Sequence, residues 1–462
     1  MSPSTPTAAP RTANFPRSFS KAYPVASRGE GVYLWDAPGN RYLDFSGSAA
    51  VNFVGHGDAS IGRAMAEQAA HLEFAHTSQF TTALAEEFAR ELLEFAGEGF
   101  RGGCVFFTCG GSEAVESALK LGRQYQVEVG EAGRSAIVSR RQAYHGATLG
   151  ALAVSGNKRR REMYLPMVRT FEQVAIPYRY RCAYDCADGC AACGERYADE
   201  LAALLGRSGK DTAAFIFEPV SGATLGAAVP PAGYLKAVSD ACARHGVLTI
   251  ADEVMTGMGR TGRKFAVEHW DVHPDILVTA KGIASGYAPL GAVLATKKVV
   301  DALARGSGAL VHGLTYNAHP VALAAGRAVL ARIRKEGLVH AADSAPAGGA
   351  RTAGANVKRE LQRLAEHASV GDVRGMGLLW AVEFVAEKKT KQPFPAEQQF
   401  AARVAAAAFK RGVLVYPMQG CADGIAGDHL LLAPPAIISG EQIAWAVGQL
   451  SDAIKDVEAS GA

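Results

Sequence analysis

Lys281 follows the run Ile276-Leu277-Val278-Thr279-Ala280 and precedes Gly282-Ile283-Ala284-Ser285-Gly286. Upstream, Val247-Leu248-Thr249-Ile250-Ala251 ends on Asp252-Glu253. A lysine amine at the end of a buried strand can form a Schiff base with an aldehyde. A carboxylate ending a buried strand needs a partner to keep its charge, and a protonated ring nitrogen would supply one. Cys109-Gly110-Gly111-Ser112-Glu113 stands where a strand gives way to a helix. Glycines there let a backbone approach a ligand, and the free N–H groups and dipole of a helix start favour an anion. With the Ser112 hydroxyl this makes a phosphate cradle. Tyr144-His145-Gly146 follows the next strand, where Tyr144 can stack on an aromatic ligand with His145 in support. Each piece has an ordinary reading when taken singly. A strand-end lysine is usually surface, a Gly-Gly-Ser start is usually a cap, and a loop tyrosine usually packs against its neighbours.

The elements that must position these residues alternate. Strands are expected at 104–108, 136–139, 213–217, 247–251, 276–280 and 290–295, with helices over 113–126 and 233–245. The helical spacing over 113–126 is carried by Ala114, Val115, Ala118, Leu119 and Gly122. Uniformly apolar strands alternating with helices predict an α/β fold with a mainly parallel sheet covered on both faces. Ligands of such sheets sit at the C-terminal strand ends, where Asp252 and Lys281 lie. A long helix is expected over 318–335, then a loop over 345–354. Beyond it come a helix over 356–368, a strand over 378–384, a helix over 396–411 and a strand over 413–416. These predict a smaller α+β domain. The expected division is a disordered lead-in over 1–16, an N-terminal segment over 17–60 packing with the small domain, a large domain over 61–335 and a small domain over 336–462.

Composition narrows the partners. The chain has 462 residues, 48% of them hydrophobic, and a formal charge of +3. That is ample for a large core, and it points to no nucleic-acid or membrane partner. No apolar run reaches membrane-spanning length, and the Ser/Thr/Pro/Ala-rich start lacks the core of a secretory signal. A cytoplasmic protein is expected. Among 8 cysteines, Cys182, Cys186, Cys190 and Cys193 cluster. Their C-x3-C-x3-C-x2-C spacing lies near, but not on, structural zinc patterns. They read as free thiols in a surface loop, with no metal assigned and a bound metal as the alternative.

A phosphate cradle, a stacking tyrosine, a carboxylate for a ring nitrogen and a lysine for an aldehyde each complement one feature of pyridoxal 5′-phosphate. The chain resembles the class III (ornithine/4-aminobutyrate/ω-amino acid type) aminotransferases of the fold-type-I pyridoxal-phosphate superfamily. The segments that carry the likeness are Thr108-Cys109-Gly110-Gly111-Ser112-Glu113-Ala114, Tyr144-His145-Gly146, Phe217-Glu218-Pro219-Val220 and Ala251-Asp252-Glu253-Val254. Gly257-Met258-Gly259-Arg260-Thr261-Gly262, Ala280-Lys281-Gly282, His312-Gly313-Leu314-Thr315-Tyr316 and Asp372-Val373-Arg374-Gly375-Met376-Gly377-Leu378 extend it. The match runs from about 19 to 450 in the family's order.

The resemblance implies that Lys281 holds the cofactor aldehyde and then shuttles a proton, while Asp252 keeps the pyridine nitrogen protonated. Gly111 and Ser112 would bind the phosphate. Tyr144, with His145 nearby, would stack on one face of the ring and Val254 on the other. Glu218 would organise Asp252 or the substrate. Thr315 would reach the cofactor phosphate of a second copy, so a homodimer with shared active sites is implied.

Substrate choice departs from the family pattern. Ornithine and 4-aminobutyrate type relatives carry an arginine in the last strand before a Pro-Pro turn, and Leu431 stands at that place. Another arginine often precedes the Gly-Asp-His, and here it is Ala426. The bidentate clamp for a carboxylate is missing at both places. Arg374 and Arg159 to Arg161 are the other candidates, Arg374 at a mostly structural position. The expected reaction moves an amino group from a primary amine or ω-amino compound to a 2-oxo acid, pyruvate by resemblance. Trp35, Phe53 and Tyr416 come from segments that line the pocket in relatives. A pyridoxal-phosphate lyase, racemase or decarboxylase on the same fold is the alternative. The G-x-G-x-x-G at 257–262 also fits a dinucleotide fingerprint, but residues 263–274 show no amphipathic helix to follow it.

Overall fold

Strands without polar alternation need cover on both faces, and the chain supplies it around one large sheet. The computed structural model describes residues 13–184, 186, 190, 192–345 and 352–461. Most of the expected 1–16 lead-in, and residues 346–351 of the expected 345–354 loop, lie outside the described residues. A small ribbon comes first, β1 (Ala26–Glu30), β2 (Tyr33–Asp36) and β3 (Arg41–Asp44). The large sheet uses β4 (Cys104–Thr108), β5 (Ala136–Arg140), β6 (Gln173–Val174), β7 (Thr212–Phe217), β8 (Leu248–Asp252), β9 (Ile276–Thr279) and β10 (Gly291–Ala295). Its order is β4-β10-β9-β8-β7-β5-β6. Neighbours from β9 to β6 run parallel, while β10 runs antiparallel to both β4 and β9.

Every residue of β7, β8, β9 and β10 is buried. Successive side chains go to opposite faces. Ala214 and Ile216 pack with Ala114, Val115 and Ala118 of the helix Gly111–Glu128. Phe215 and Phe217 join a second cluster with Tyr197, Leu201 and Tyr234 from the helices Cys193–Ser208 and Tyr234–Arg244. β8 and β9 are neighbours, and Asp252 pairs with Val278. Lys281 therefore emerges just past the same sheet edge at which Asp252 ends.

The second sheet is antiparallel, with β11 (Val370–Met376), β12 (Leu379–Phe384), β14 (Tyr416–Gln419) and β15 (Asp428–Leu432) in the order β11-β12-β15-β14. Between them, β13 (Val413–Leu414) leaves to pair in parallel with β3. The strand expected over 413–416 thus splits between two sheets. Pro417, which has no N–H to give a ladder, falls on the edge strand β14, where that donor is not needed. The helix expected over 396–411 runs Phe400–Lys410, because Gln399 at φ +47° breaks it from the 3-10 turn Ala396–Gln398. Elements that went unexpected include β1, β6, β11, the capped helices Ala59–His71 and Ala83–Ala96, the helices Cys193–Ser208 and Lys297–Arg305, and the C-terminal helix Gly440–Ala459. Among the described residues, no helix is long and apolar enough to cross a membrane.

Candidate active site

Asp252 and Lys281 both line a cavity of about 460 Å³, with Gly111, Ser112, Tyr144, His145, Glu218 and Val254 around it. The parallel register of β8 and β9 brings them there. Lys281 takes φ +47°, a left-handed conformation that costs a non-glycine residue of order 1–3 kcal/mol. The turn that follows stabilises it, since the N–H of Ser285 donates to the Lys281 carbonyl at 2.8 Å. Burial pushes the Lys281 amine down from its ordinary value to about 8, with Asp252 and Glu218 opposing and Arg160 assisting.

Asp252 is 5% exposed. Its Oδ2 lies 2.7 Å from Nδ1 of the buried His145, and its Oδ1 accepts from the N–H of Val254 at 3.1 Å. His145 is thus directed at Asp252 and not at the Tyr144 ring. Its own N–H donates to Ser155 Oγ at 2.9 Å, which fixes the loop. Glu218 hydrogen-bonds neither Asp252 nor His145. Its Oε1 accepts from Gly222 at 2.8 Å and its Oε2 from the N–H of Tyr144 at 3.4 Å. Burial raises the Glu218 pKa. These bonds make Glu218 a brace for the tyrosine loop. Tyr144 carries the Arg160 guanidinium 4.2 Å from its ring centroid. Arg160 is a residue that sequence reasoning grouped with its neighbours and did not single out. Its signal was the basic run Lys158-Arg159-Arg160-Arg161 soon after the tyrosine motif.

The helix Gly111–Glu128 begins without a side-chain cap, so its first N–H groups face the cavity unpaired by its cap residue. Gly111 must stay small, because a Cβ there would meet Val254 Cγ1 at 2.9 Å. Ser112 Oγ accepts from the N–H of Ala147 at 3.0 Å, joining the cradle to the tyrosine loop. An uncapped helix start, a carboxylate and a buried amine around one cavity fit the phosphate, ring nitrogen and aldehyde of pyridoxal 5′-phosphate.

Other expected residues lie elsewhere. Thr315 is exposed and does not line the cavity of its own chain. Phe53 is buried under Arg260, Trp35 stacks beneath Arg28 at 3.7 Å, and Tyr416 is half-buried in β14. None of these three lines the cavity. The glycines of 257–262 open no α-helix, only a turn and the 3-10 segment Ala266–Trp270.

The model of the family described as aminotransferase class-III matches residues 15–454. An uncharacterized aminotransferase, YodT, from Bacillus subtilis (strain 168) is 38% identical over 442 residues, covering 95% of this chain and 96% of that protein. Among solved structures, a PLP-bound amine transaminase from an uncultivated Pseudomonas species superposes with TM-score 0.89 at 35% identity, covering 97% of this chain and 100% of that one. A thermostable (S)-enantioselective ω-transaminase from Thermomicrobium roseum gives TM-score 0.88 at 34% identity, covering 96% of each chain. The chain belongs to the class-III aminotransferases, enzymes of the fold-type-I architecture described above.

Proposed function

We propose that the cavity binds pyridoxal 5′-phosphate and transfers an amino group from a primary amine or ω-amino compound to a 2-oxo acid, pyruvate being the expected acceptor. The observation that carries this is the convergence of Lys281 and the Asp252–His145 pair on one cavity beside an uncapped helix start. When bound, that cofactor supplies an aldehyde for a lysine and a cationic ring that takes up electrons from the bond broken at the substrate Cα. The rest falls to this chain's own residues. The N–H groups at Gly111 and Ser112 hold the phosphate, with Tyr144 and Val254 on the two faces of the ring. Asp252 keeps the ring nitrogen protonated, and His145 orients Asp252. Lys281 carries the proton to and from Cα.

The amine preference rests on the wall behind the cavity. Leu431 is buried with Val220, Ala223, Leu379 and Ala381, so β15 presents no guanidinium there. Arg374 is occupied by Asp372 at 2.9 Å, Glu383 at 2.7 Å and the Gly226 carbonyl at 2.7 Å. Ala426 sits in a turn on Asp423 Oδ1. Arg160, over the ring of Tyr144 and with its charge felt at Lys281, is the candidate to meet the acceptor carboxylate. Charge-assisted contacts of this kind are worth about 1.5–3 kcal/mol. In a donor panel with pyruvate, arylalkyl amines should therefore exceed ornithine and 4-aminobutyrate in kcat/KM by roughly 10-fold or more. Arg160→Ala should raise the KM for pyruvate with a smaller effect on the amine. Preference for ornithine or 4-aminobutyrate would overturn the donor assignment. Ammonia release without any acceptor would indicate lyase chemistry instead.

A homodimer with shared sites is part of the same reading. Leu310, Val311 and Tyr316 are exposed around Thr315, and Phe80 is exposed too. Exposed apolar groups of this kind are what a second copy would cover.

Only the neutral amine of Lys281 can attack the aldehyde. With the amine at about 8, capture of added cofactor by the apo chain should quicken as pH rises, about tenfold per unit below that value. It should level off above it. Stopped-flow absorbance reads this directly, and a flat rate between about pH 6 and 9 would reject the buried-amine account.

A further inference from the structure

We propose that Cys182, Cys186, Cys190 and Cys193 form a structural zinc site. Spacing alone left these residues as loop thiols, because C-x3-C-x3-C-x2-C lacks the usual paired knuckles. Distance says more. The Sγ atoms of Cys182, Cys186 and Cys193 all lie within 4.8 Å of one another, and Cys182 and Cys193 are 3.6 Å apart. Cys190, between Cys186 and Cys193 in the chain, is half-buried against the same hydrophobic cluster as Cys182 and Cys186. Tetrahedral zinc with Zn–S bonds of about 2.3 Å sets its sulfurs about 3.8 Å apart, so small side-chain rotations would close this cluster. Four sulfurs and no open position make a closed site, the structural kind. None of the four cysteines lines the catalytic cavity.

The surroundings favour bound thiolates. Cys193 is the first residue of the helix Cys193–Ser208, which has no side-chain cap, so the positive end of its dipole faces the cluster. The Tyr197 hydroxyl donates to Cys182 Sγ at 3.6 Å, and Arg196 Nη1 donates to Cys186 Sγ at 3.9 Å. Donors to ligand sulfurs fix their orientation and spread the charge of the site. Zn²⁺ would displace the thiol protons to solvent, with no change of oxidation state.

The position gives the site a purpose. The turn just before Cys182 grips the small sheet. Tyr178 donates through its hydroxyl to Glu383 Oε2, and Arg181 donates to Glu383 Oε1 at 2.8 Å and to the Lys391 carbonyl at 2.7 Å. Glu383 is fully buried in β12. Zinc would tie this gripping turn to the start of the next helix, and so fasten the large sheet's crossover onto the small domain.

Elemental analysis of the purified holoenzyme tests this. About one zinc per chain is expected, with Cys186→Ser losing most of it and Cys104→Ser keeping it. Should Cys186→Ser fail to fold, the wild type suffices. A mercurial titrated into it should release zinc to a chromogenic chelator. Proteolysis between Cys182 and Cys193 should quicken while the cofactor's visible absorbance persists. A wild type that carries no zinc and takes none up from added Zn²⁺ after reduction would overturn the site. So would a Cys182–Cys193 disulfide in place of metal, or iron with sulfide.

Discussion

Lys281→Ala is expected to lower turnover by about 10⁴-fold, at the upper end of what a positioned general base contributes. The loss is this large because one side chain has two jobs, anchoring the cofactor and moving the proton at Cα. Among the described residues, no other lysine lines the cavity to replace it. A second readout separates the anchor from the base. Borohydride should fix the cofactor to the wild-type chain and leave the variant unmodified, which intact-mass measurement detects. Stability should hold or rise, since the variant removes an amine whose burial is unfavourable to its charge. Turnover retained with the wild-type visible spectrum would sink the assignment.

Why Lys281 and Asp252 were legible, and other residues not, comes down to what a sequence pattern encodes. Uninterrupted apolar runs mark strands buried on both faces, and their C-terminal ends are where such sheets bind ligands. Both residues sit directly after such runs. The sheet order is not in the pattern, and it is the order that makes β8 and β9 neighbours. The partner of Asp252 was equally hidden. The bond from His145 at 2.7 Å joins residues far apart in the chain, and nothing in Tyr144-His145-Gly146 says which way the imidazole turns.

Some misses had a visible signal. The helix Gly440–Ala459 begins with a capping box of Ser439 and Gln442. Ile443, Ala446, Val447, Leu450 and Ile454 follow at helical spacing. β11 had none, because Gly371, Asp372, Arg374 and Gly375 break its alternation. It forms because β12 pairs along its length, a tertiary effect that outweighs weak local propensity. The cysteine cluster shows the limit most clearly. Its spacing is unfamiliar, and only the fold of the crossover brings the sulfurs within reach of one another.

Asp252→Asn should lower kcat by about 10²–10³-fold while leaving borohydride fixation at Lys281 intact. The substitution keeps the shape but removes the charge facing the cavity. A neutral amide no longer favours a proton on the ring nitrogen, so the ring accepts electrons poorly when the Cα–H bond breaks. Burial sharpens this effect, since a carboxylate 5% exposed acts through little intervening water. His145→Gln gives the control for position as against charge. His145 borders the cavity, but the cavity side chain it hydrogen-bonds is Asp252, so its loss should cost nearer tenfold, the worth of one charge-assisted hydrogen bond. It should also move the pH profile of kcat, which a purely structural role would leave in place. The two variants together form a test with a clear failing result. If Asp252→Asn retains more than about half of wild-type kcat, the charge at that strand end is not what drives the chemistry, and the pairing with His145 is only a fold contact.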